Sequence, residues 1–273
     1  MTTLLTTPAP TAVADRFSIR RTASLTRWNA VLLIRNRVAF FYAALMPLLP
    51  LGLLLIGERG SESVGAIAIG IMFMIVALFP VYYNVLSQFV SRRDELVLKR
   101  MRTGEARDSE LLVGTALPGV ISALVLSVVA VPIAAALGQP LPVNPVLYVA
   151  LAVAATIMVT AFAYWTAAWT RNAEAAQLTS MPIILLASVG PLVNTLPGMS
   201  DWLREILTLT PGAAMSDLVR VGWFGLDGPG ATQASLTFAE TWSQAAQPLL
   251  VMAAWTAVAV VLARRSMRWE PRA

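Results

Sequence analysis

The sequence contains no histidine and no cysteine. Without imidazole or thiolate groups, the chain cannot build a histidine or cysteine metal site, a disulfide, a cysteine nucleophile or a histidine general base. Lysine occurs once, at Lys99. The nucleotide-binding pattern G-x-x-x-x-G-K-[ST] is therefore absent, because Lys99 has valine and leucine before it and arginine after it. The chain does not bind ATP through a P-loop of its own.

Charged residues are scarce as well. They make up 13% of the 273 residues, against the ~25% of a typical soluble domain. Hydrophobic residues make up 57% and include six runs without Asp, Glu, Lys or Arg. As α-helices, these runs are long enough to cross a ~30 Å hydrocarbon core. We therefore predict an all-α integral membrane protein with six transmembrane helices, at residues 38–56, 64–86, 111–137, 146–169, 178–199 and 245–263.

The basic residues lie unevenly between these runs. Seventeen lie in the N-terminal segment, the loop 87–110, the segment after the fourth run and the tail 264–273, and three lie in the alternate segments. By the positive-inside rule, both termini and the loop 87–110 are predicted to be cytoplasmic. An even number of spans follows, because an odd number would place one basic terminus outside. The Thr- and Pro-rich residues 1–15 lack the apolar core of a signal peptide, and we predict that they are disordered.

Three segments outside the spans have patterns of their own. Residues 16–37 predict an amphipathic cytoplasmic helix, which serves either as a lipid anchor or as a docking element. The loop 87–110 combines six basic and five acidic residues with an apolar side. It predicts a helix that meets a soluble partner, unless its charges only orient the chain. The outer segment 200–244 predicts two short helices, Asp201–Leu209 and Ala213–Trp223, that lie in the headgroup layer or dip back into the membrane.

Two local stretches carry a resemblance to a known family. Residues 92–103 read RRDELVLKRMRT and are followed by DSELLVG at 108–114, which looks like a segment that begins E-R-x-x-G-T-L and ends E-L-L-x-G-K. In that pattern Leu96 stands where the family has glycine. Residues 210–220 read TPGAAMSDLVR and look like N-P-x-x-x-x-x-D-A-L-R. With the order of the predicted helices, these motifs resemble the ABC type-2 exporter permeases, in particular their drug-efflux, daunorubicin-resistance-like branch.

The resemblance implies a permease subunit of an ATP-binding-cassette exporter in the bacterial cell membrane. Such a subunit moves a hydrophobic or amphiphilic compound, for example a drug, lipid or peptide, out of the cytoplasm. It dimerises with itself or a related permease and binds two copies of a separate ATPase subunit. We accordingly expect no catalytic residue, no cofactor, no metal and no nucleic acid on this chain, with ATP and Mg²⁺ bound to the ATPase.

The resemblance also implies roles for individual residues. Residues of the N-terminal helix and of the loop 87–110 would bind the ATPase and transmit its closure to the transmembrane helices. In the loop these are Arg92, Arg93, Glu95, Lys99, Arg100, Arg102, Arg107 and Asp108. A substrate cavity at the dimer seam, lined by the second and fifth spans, would include Phe79, Tyr83, Asn84, Leu186 and Asn194. The outer helices would act as an extracellular gate.

Two other classes of function remain open from the residues. An integral membrane lipid or prenyl transferase would hold a metal-bound diphosphate with clustered Asp residues, but the acidic cluster of this chain lies among six basic residues of the loop 87–110. A non-transporting immunity or scaffold protein would share the helix pattern without moving any compound. A proton-coupled transporter is disfavoured, because the six predicted spans contain no formal charge.

Overall fold

The computed structural model describes residues 17–56, 59–103, 107–195, 200–228, 231, 233–267 and 269, without the side chains at 39, 102, 103 and 191–195. The segment 1–15 lies outside the described residues. Every regular element in the described ranges is helical, which confirms the predicted all-α class. The α-helices are α1 (Ile19–Arg35), α2 (Arg37–Phe40), α3 (Glu62–Val76), α4 (Asn84–Asp94), α5 (Val97–Thr103), α6 (Asp108–Ala136), α7 (Pro145–Trp169), α8 (Ala175–Thr179), α9 (Met181–Thr195), α10 (Asp201–Thr208), α11 (Pro211–Phe224) and α12 (Glu240–Ser266).

Helices of membrane-crossing length make up most of the bundle. Four stretches are long and apolar enough to cross a bilayer: Glu62–Asp94, Asp108–Ala136, Pro145–Trp169 and Glu240–Ser266. Two further apolar helices, at Phe41–Leu55 and Met181–Gly190, are shorter. They fall in the predicted runs 38–56 and 178–199, of which residues 196–199 lie outside the described part. The structure therefore supports a multi-pass membrane protein, and the count of six depends on these two short helices.

Proline accounts for the unusual geometry of the first apolar run. After α2 the chain forms a π-helical turn over Phe41–Leu45 and then a 3-10 helix over Met46–Leu55, which contains Pro47 and Pro50. Proline has no N–H to donate to the preceding turn, so a regular α-helix is unfavourable here. A 3-10 helix rises ~2.0 Å per residue, which makes these ten residues about 20 Å long. The run thus reaches further than an α-helix of equal length.

The second crossing also contains a non-α stretch. Between α3 and α4 the helix widens to π geometry over Ala77–Tyr83, around Pro80. Gly119 of α6 packs against this stretch so closely that a Cβ atom at Gly119 would overlap the carbonyl oxygen of Pro80. The small residue allows the two backbones to meet, as is common where membrane helices pack. The widened turn therefore lies at the α6 contact.

Helix α1 lies on α6 and buries uncharged polar residues there. Ser18 caps its first turn, because the Ser18 hydroxyl accepts a hydrogen bond from the Arg21 N–H at 3.3 Å. Thr22 and Asn29 are buried, whereas Trp28 and Leu32 are more than 60% exposed. An apolar face that points away from the protein suits the bilayer interface. Helix α1 covers Ile19–Arg35 of the segment 16–37 for which an amphipathic helix was predicted.

Helix α11 is a buried element of the bundle. All of its residues except Asp217 are buried, and it packs against α3, α7, α9 and α12. At its last turn the Trp223 ring meets the Tyr148 ring of α7 edge-on at 5.0 Å, and the indole N–H donates to the carbonyl of Pro140 at 2.9 Å. This end of α11 is therefore fixed to the link between α6 and α7.

The first turn of α11 lies deep in the bundle. A Cβ atom at Gly212 would overlap the carbonyl oxygen of Ala187 in α9. The indole N–H of Trp255 donates to the carbonyl of Leu209, just before α11, at 2.8 Å. Trp255 lies ~22 Å along α12 from its first residue, at 1.5 Å per residue. The turn between α10 and α11 therefore lies beside the middle of α12.

The α9–α11 contact leads to a first prediction. Gly212→Ala should lower the melting temperature by several degrees, because the added methyl group forces two backbones apart at a cost of about 1–3 kcal/mol. Tryptophan fluorescence of the purified protein during heating measures this change. Gly52→Ala is the matched control, since a Cβ atom at Gly52 meets nothing within 4 Å. A Gly212→Ala protein that melts with the wild type would contradict the close packing.

Candidate functional site

The charged loop 87–110 folds as two helices joined by a sharp turn. Helix α4 ends at Asp94, Leu96 adopts a positive φ of 59°, and α5 begins at Val97. Leu98 is 1% exposed and anchors α5, while Glu95, Lys99 and Arg100 are exposed. We call this end of the bundle the basic end. It consists of α1, α5, the end of α4, the start of α6 and the end of α7. Its exposed charges form the surface that was predicted to meet a partner.

Arg93 lies away from that surface. Its side chain is fully buried and donates to the carbonyl oxygens of Ala167 at 2.8 Å, Thr170 at 2.6 Å and Arg171 at 3.1 Å. These carbonyls close the C-terminal end of α7, where a cation is favoured by the helix dipole. Arg93 was predicted to take part in docking and in the transmission of closure. Its buried side chain lies behind the exposed charges and ties α4 to α7.

Arg92 joins three helices through neutral acceptors. Its guanidinium donates to the Asn29 side-chain oxygen in α1, to Gln88 in α4 at 3.0 Å and to the Thr115 hydroxyl in α6 at 3.2 Å. Asn29 in turn donates to the carbonyl of Gly114 at 2.7 Å. Arg92, like Arg93, therefore holds the basic end together, and it does so on the side of α1.

A buried carboxylate fixes the start of α1 to the start of α6. Glu110 is fully buried and accepts two hydrogen bonds from the Arg21 guanidinium, each at 2.9 Å, and one from the Ser18 backbone N–H at 2.6 Å. Such a charged, bidentate pair is among the stronger contacts in proteins. The predicted residues Arg107 and Asp108 are half-buried at the same helix start. Sequence reasoning missed the Arg21–Glu110 pair, because nothing local signals a contact over 89 positions.

Three of the five residues predicted for a substrate path line one cavity. Phe79, Tyr83 and Asn84 border a space of about 500 Å³ together with Tyr42 and residues at the end of α1. The Tyr42 and Phe79 rings stack at 6.0 Å. A second cavity of about 320 Å³ shares Leu33, Asn36, Asn84 and Ser87 with the first and extends it to Arg92 and Glu95. Volumes of this size suit drug-sized ligands.

The remaining predicted residues do not join this cavity. Leu186 is half-buried in α9, where its backbone faces Gly212 of α11. Asn194 lies near the end of α9, but its side chain is outside the described residues, as is that of Arg102 in α5. Sequence reasoning missed Tyr42 and Asn36, whose signal was weak because both lie at the junction of α1 with the first apolar run.

A polar cleft occupies the other end of the bundle. It has a volume of about 260 Å³ between α10, α11 and α12 and is lined by Asp217, Arg220, Gln244 and Gln247, among others. Arg220 donates to the carbonyls of Gly228 at 3.0 Å and Ala231 at 3.1 Å. Burial lowers the pKa of Arg220 from its ordinary value, whereas the Asp217 carboxylate raises it. Within the described ranges, no three acidic, histidine or cysteine side chains gather as a metal site.

The positive φ of Leu96 leads to a second prediction. A leucine in the left-handed region is strained by about 1 kcal/mol, and glycine is not. Leu96→Gly should therefore raise the melting temperature by a few degrees. Leu96→Ala is the control, because it removes the exposed side chain but retains the Cβ atom that causes the strain. Equal melting of the Gly and Ala variants would show that the turn is unstrained.

The burial of Arg93 leads to a third prediction. Arg93→Met should lower the melting temperature by about 5 °C or more, because the end of α7 loses charge-assisted hydrogen bonds worth roughly 2 kcal/mol or more. Arg100→Met, at an exposed position seven residues on, should change stability by at most about 0.5 kcal/mol. If both variants melt alike, Arg93 does not hold α4 against α7.

Comparison with known proteins identifies the family to which the chain belongs. Comparison with curated protein sequences gives no match. The family model described as "ABC-2 family transporter protein" matches residues 34–265, which run from the last turn of α1 to the last turn of α12. This range includes the loop at the basic end, the α10–α11 pair and most of the residues that line the two cavities. Because the match covers most of the chain, the protein belongs to the ABC-2 family of transporter membrane proteins.

Proposed function

We propose that the chain is the permease subunit of an ATP-driven exporter, with the energy supplied by a separate ATPase. The observation that carries this proposal is the family match over residues 34–265. A lipid or prenyl transferase and a non-transporting scaffold are not favoured, because the matching family consists of transporters. The absence of a P-loop pattern from the sequence agrees with this division of labour.

The proposed topology has six crossings and two cytoplasmic termini. The 3-10 helix Met46–Leu55 and helix α9 supply the two short crossings beside the four long ones. The basic end then faces the cytoplasm of a bacterial cell, in agreement with the positive-inside rule. Two copies of the chain, or one copy and a related permease, would assemble with two ATPase subunits that bind ATP and Mg²⁺.

The proposed coupling surface is the exposed side of the α4–α5 turn. Glu95, Lys99 and Arg100 are exposed there and are the residues we expect to touch the ATPase. Arg92 and Arg93 lie behind them, and each ties α4 to other helices. A displacement of α5 would be transmitted to α7 through Arg93. It would be transmitted to α1 and α6 through Arg92.

The proposed cargo is a hydrophobic or amphiphilic compound that the cell exports, such as a drug. The joined cavities beside Phe79, Tyr83 and Asn84 are its candidate binding place, and the α10–α11 pair is the candidate outer gate. An apolar chamber with a few polar groups is typical of small-molecule sites.

The coupling surface leads to a fourth prediction. Lys99→Glu with Arg100→Glu should abolish co-purification with the partner P-loop ATPase and its stimulation by the permease, because the contact changes from two positive to two negative charges. Arg264→Glu with Arg265→Glu is the matched control, since it makes the same charge change at an exposed site at the end of α12.

The test combines capture of the co-expressed ATPase with transport in vesicles. Wild type and control should capture the ATPase and export a fluorescent amphiphile, whereas the α5 variant should do neither. Equal capture of the ATPase by all three proteins would show that α5 has no coupling role. A wild-type permease that neither captures an ATPase nor transports would overturn the proposed function.

A further inference from the structure

The two joined cavities form one groove with an apolar end and a polar end. The apolar end is lined by Val38, Tyr42, Phe79 and Tyr83. The polar end follows one face of α4, where residues four apart lie above one another on the helix. That face carries Asn84, Ser87, Gln88, Ser91, Arg92 and Glu95. The groove therefore has the polarity of an amphiphile laid along α4.

Hydrogen bonds run along the polar end in one direction. Arginine has only donors, so Gln88 must accept from Arg92 through its side-chain oxygen. The Gln88 amide N–H then donates to the Asn84 oxygen at 2.7 Å. The Asn84 amide nitrogen is thereby left as a donor without a hydrogen-bond partner among the described residues, but it is buried beside Gly119 of α6. The donor of this chain that a ligand in the groove can reach is therefore the half-buried Arg92.

The positive charge of Arg92 has one acidic neighbour in the described part of the chain, Glu95, which attracts it from beyond salt-bridge distance. The three hydrogen bonds of Arg92 go to the neutral side chains Asn29, Gln88 and Thr115, and it forms no salt bridge there. These contacts use three of the five guanidinium N–H groups. Glu95 is the one carboxylate among the described lining residues, and it is exposed at the outer edge of the groove. A cation held by neutral acceptors in a partly buried site favours an anionic ligand.

We propose that the groove binds a drug-sized amphiphile with an anionic head, with the head at Arg92 and the apolar body between Tyr42, Phe79 and Tyr83. The proposal rests on the proposed function, because this amphiphile would be the cargo that the permease receives. It specifies the charge of the cargo, which membership of the family leaves open. The occupant is a compound dissolved in the membrane or cytoplasm and not a structural phospholipid of the bilayer.

The test measures binding to the permease alone, in nanodiscs of zwitterionic phosphatidylcholine. The probes are dansyl-labelled undecanoic acid and its methyl ester, which differ in the charge of the head. Fluorescence titration gives both dissociation constants, with protein-free discs as the blank. The variants are Arg92→Gln and Arg92→Lys, and Arg27→Gln is the control, since Arg27 is an exposed arginine of α1 that does not line the groove.

The wild type and Arg27→Gln should bind the acid roughly tenfold or more tightly than the ester, as expected for a charge-assisted hydrogen bond. Arg92→Gln should bind the two probes equally, with the affinity for the ester unchanged, and Arg92→Lys should retain part of the preference. Because Arg92 also braces three helices, the ratio of the two affinities is the readout, and a merely structural role would weaken both probes alike.

Three results would overturn the proposal. They are a wild type without preference for the acid, an Arg92→Gln variant that retains the preference, and displacement of the acid by phosphatidylglycerol added to the discs, which would assign the groove to a membrane lipid. None of the measurements involves the ATPase. Loss of ATPase capture therefore tests the proposed function, and loss of the acid preference tests the groove.

Discussion

Two adjacent arginines on α4 reach in different directions, and the basic end of the structure depends on this divergence. Neighbouring residues on an α-helix are about 100° apart, so their side chains meet different neighbours. Arg92 donates to side chains of α1 and α6, and Arg93 donates to the end of α7. In a chain with few charges, most polar groups have no ionic partner nearby. One turn of α4 supplies a guanidinium group to the carbonyls at the end of α7 and another to side chains of α1 and α6.

The opposite end of the bundle is held by different means. There, α9 and α11 touch through Gly190 and Gly212, and α11 is fastened at both ends by tryptophan N–H groups that donate to carbonyl oxygens. Close backbone contact and neutral hydrogen bonds hold these helices together, as is favourable where membrane helices pack away from water. The basic end is thus braced by guanidinium groups, whereas the α9–α11 contact depends on close packing.

The sequence predicts what depends on one helix at a time. Uncharged runs revealed the long helices α6, α7 and α12, and the pattern of residues 16–37 revealed α1, because hydropathy and amphipathicity are properties of single segments. It did not reveal what depends on two segments. The partners of Arg92 and Arg93, the Arg21–Glu110 pair and the depth of α11 all arise from contacts between distant residues. Phe79, Tyr83 and Asn84 were predicted to line a cavity because the family resemblance implies one along the second span. No such indication existed in the sequence for Tyr42 and Asn36, which come close to them only through the fold.

The position of Arg92 limits how the sequence can diverge. The same side chain lines a cavity and ties α1, α4 and α6 together. A substitution there changes the cavity and loosens the brace in one step, so a lineage can vary it only after another contact has taken over the bracing. Tyr42 and Val38 line the cavity from an exposed segment, where Tyr42 contacts Phe79 by ring stacking and not by a hydrogen-bonded brace. We expect homologues that differ in cargo to differ first at these positions, and to keep an arginine at the position of Arg92.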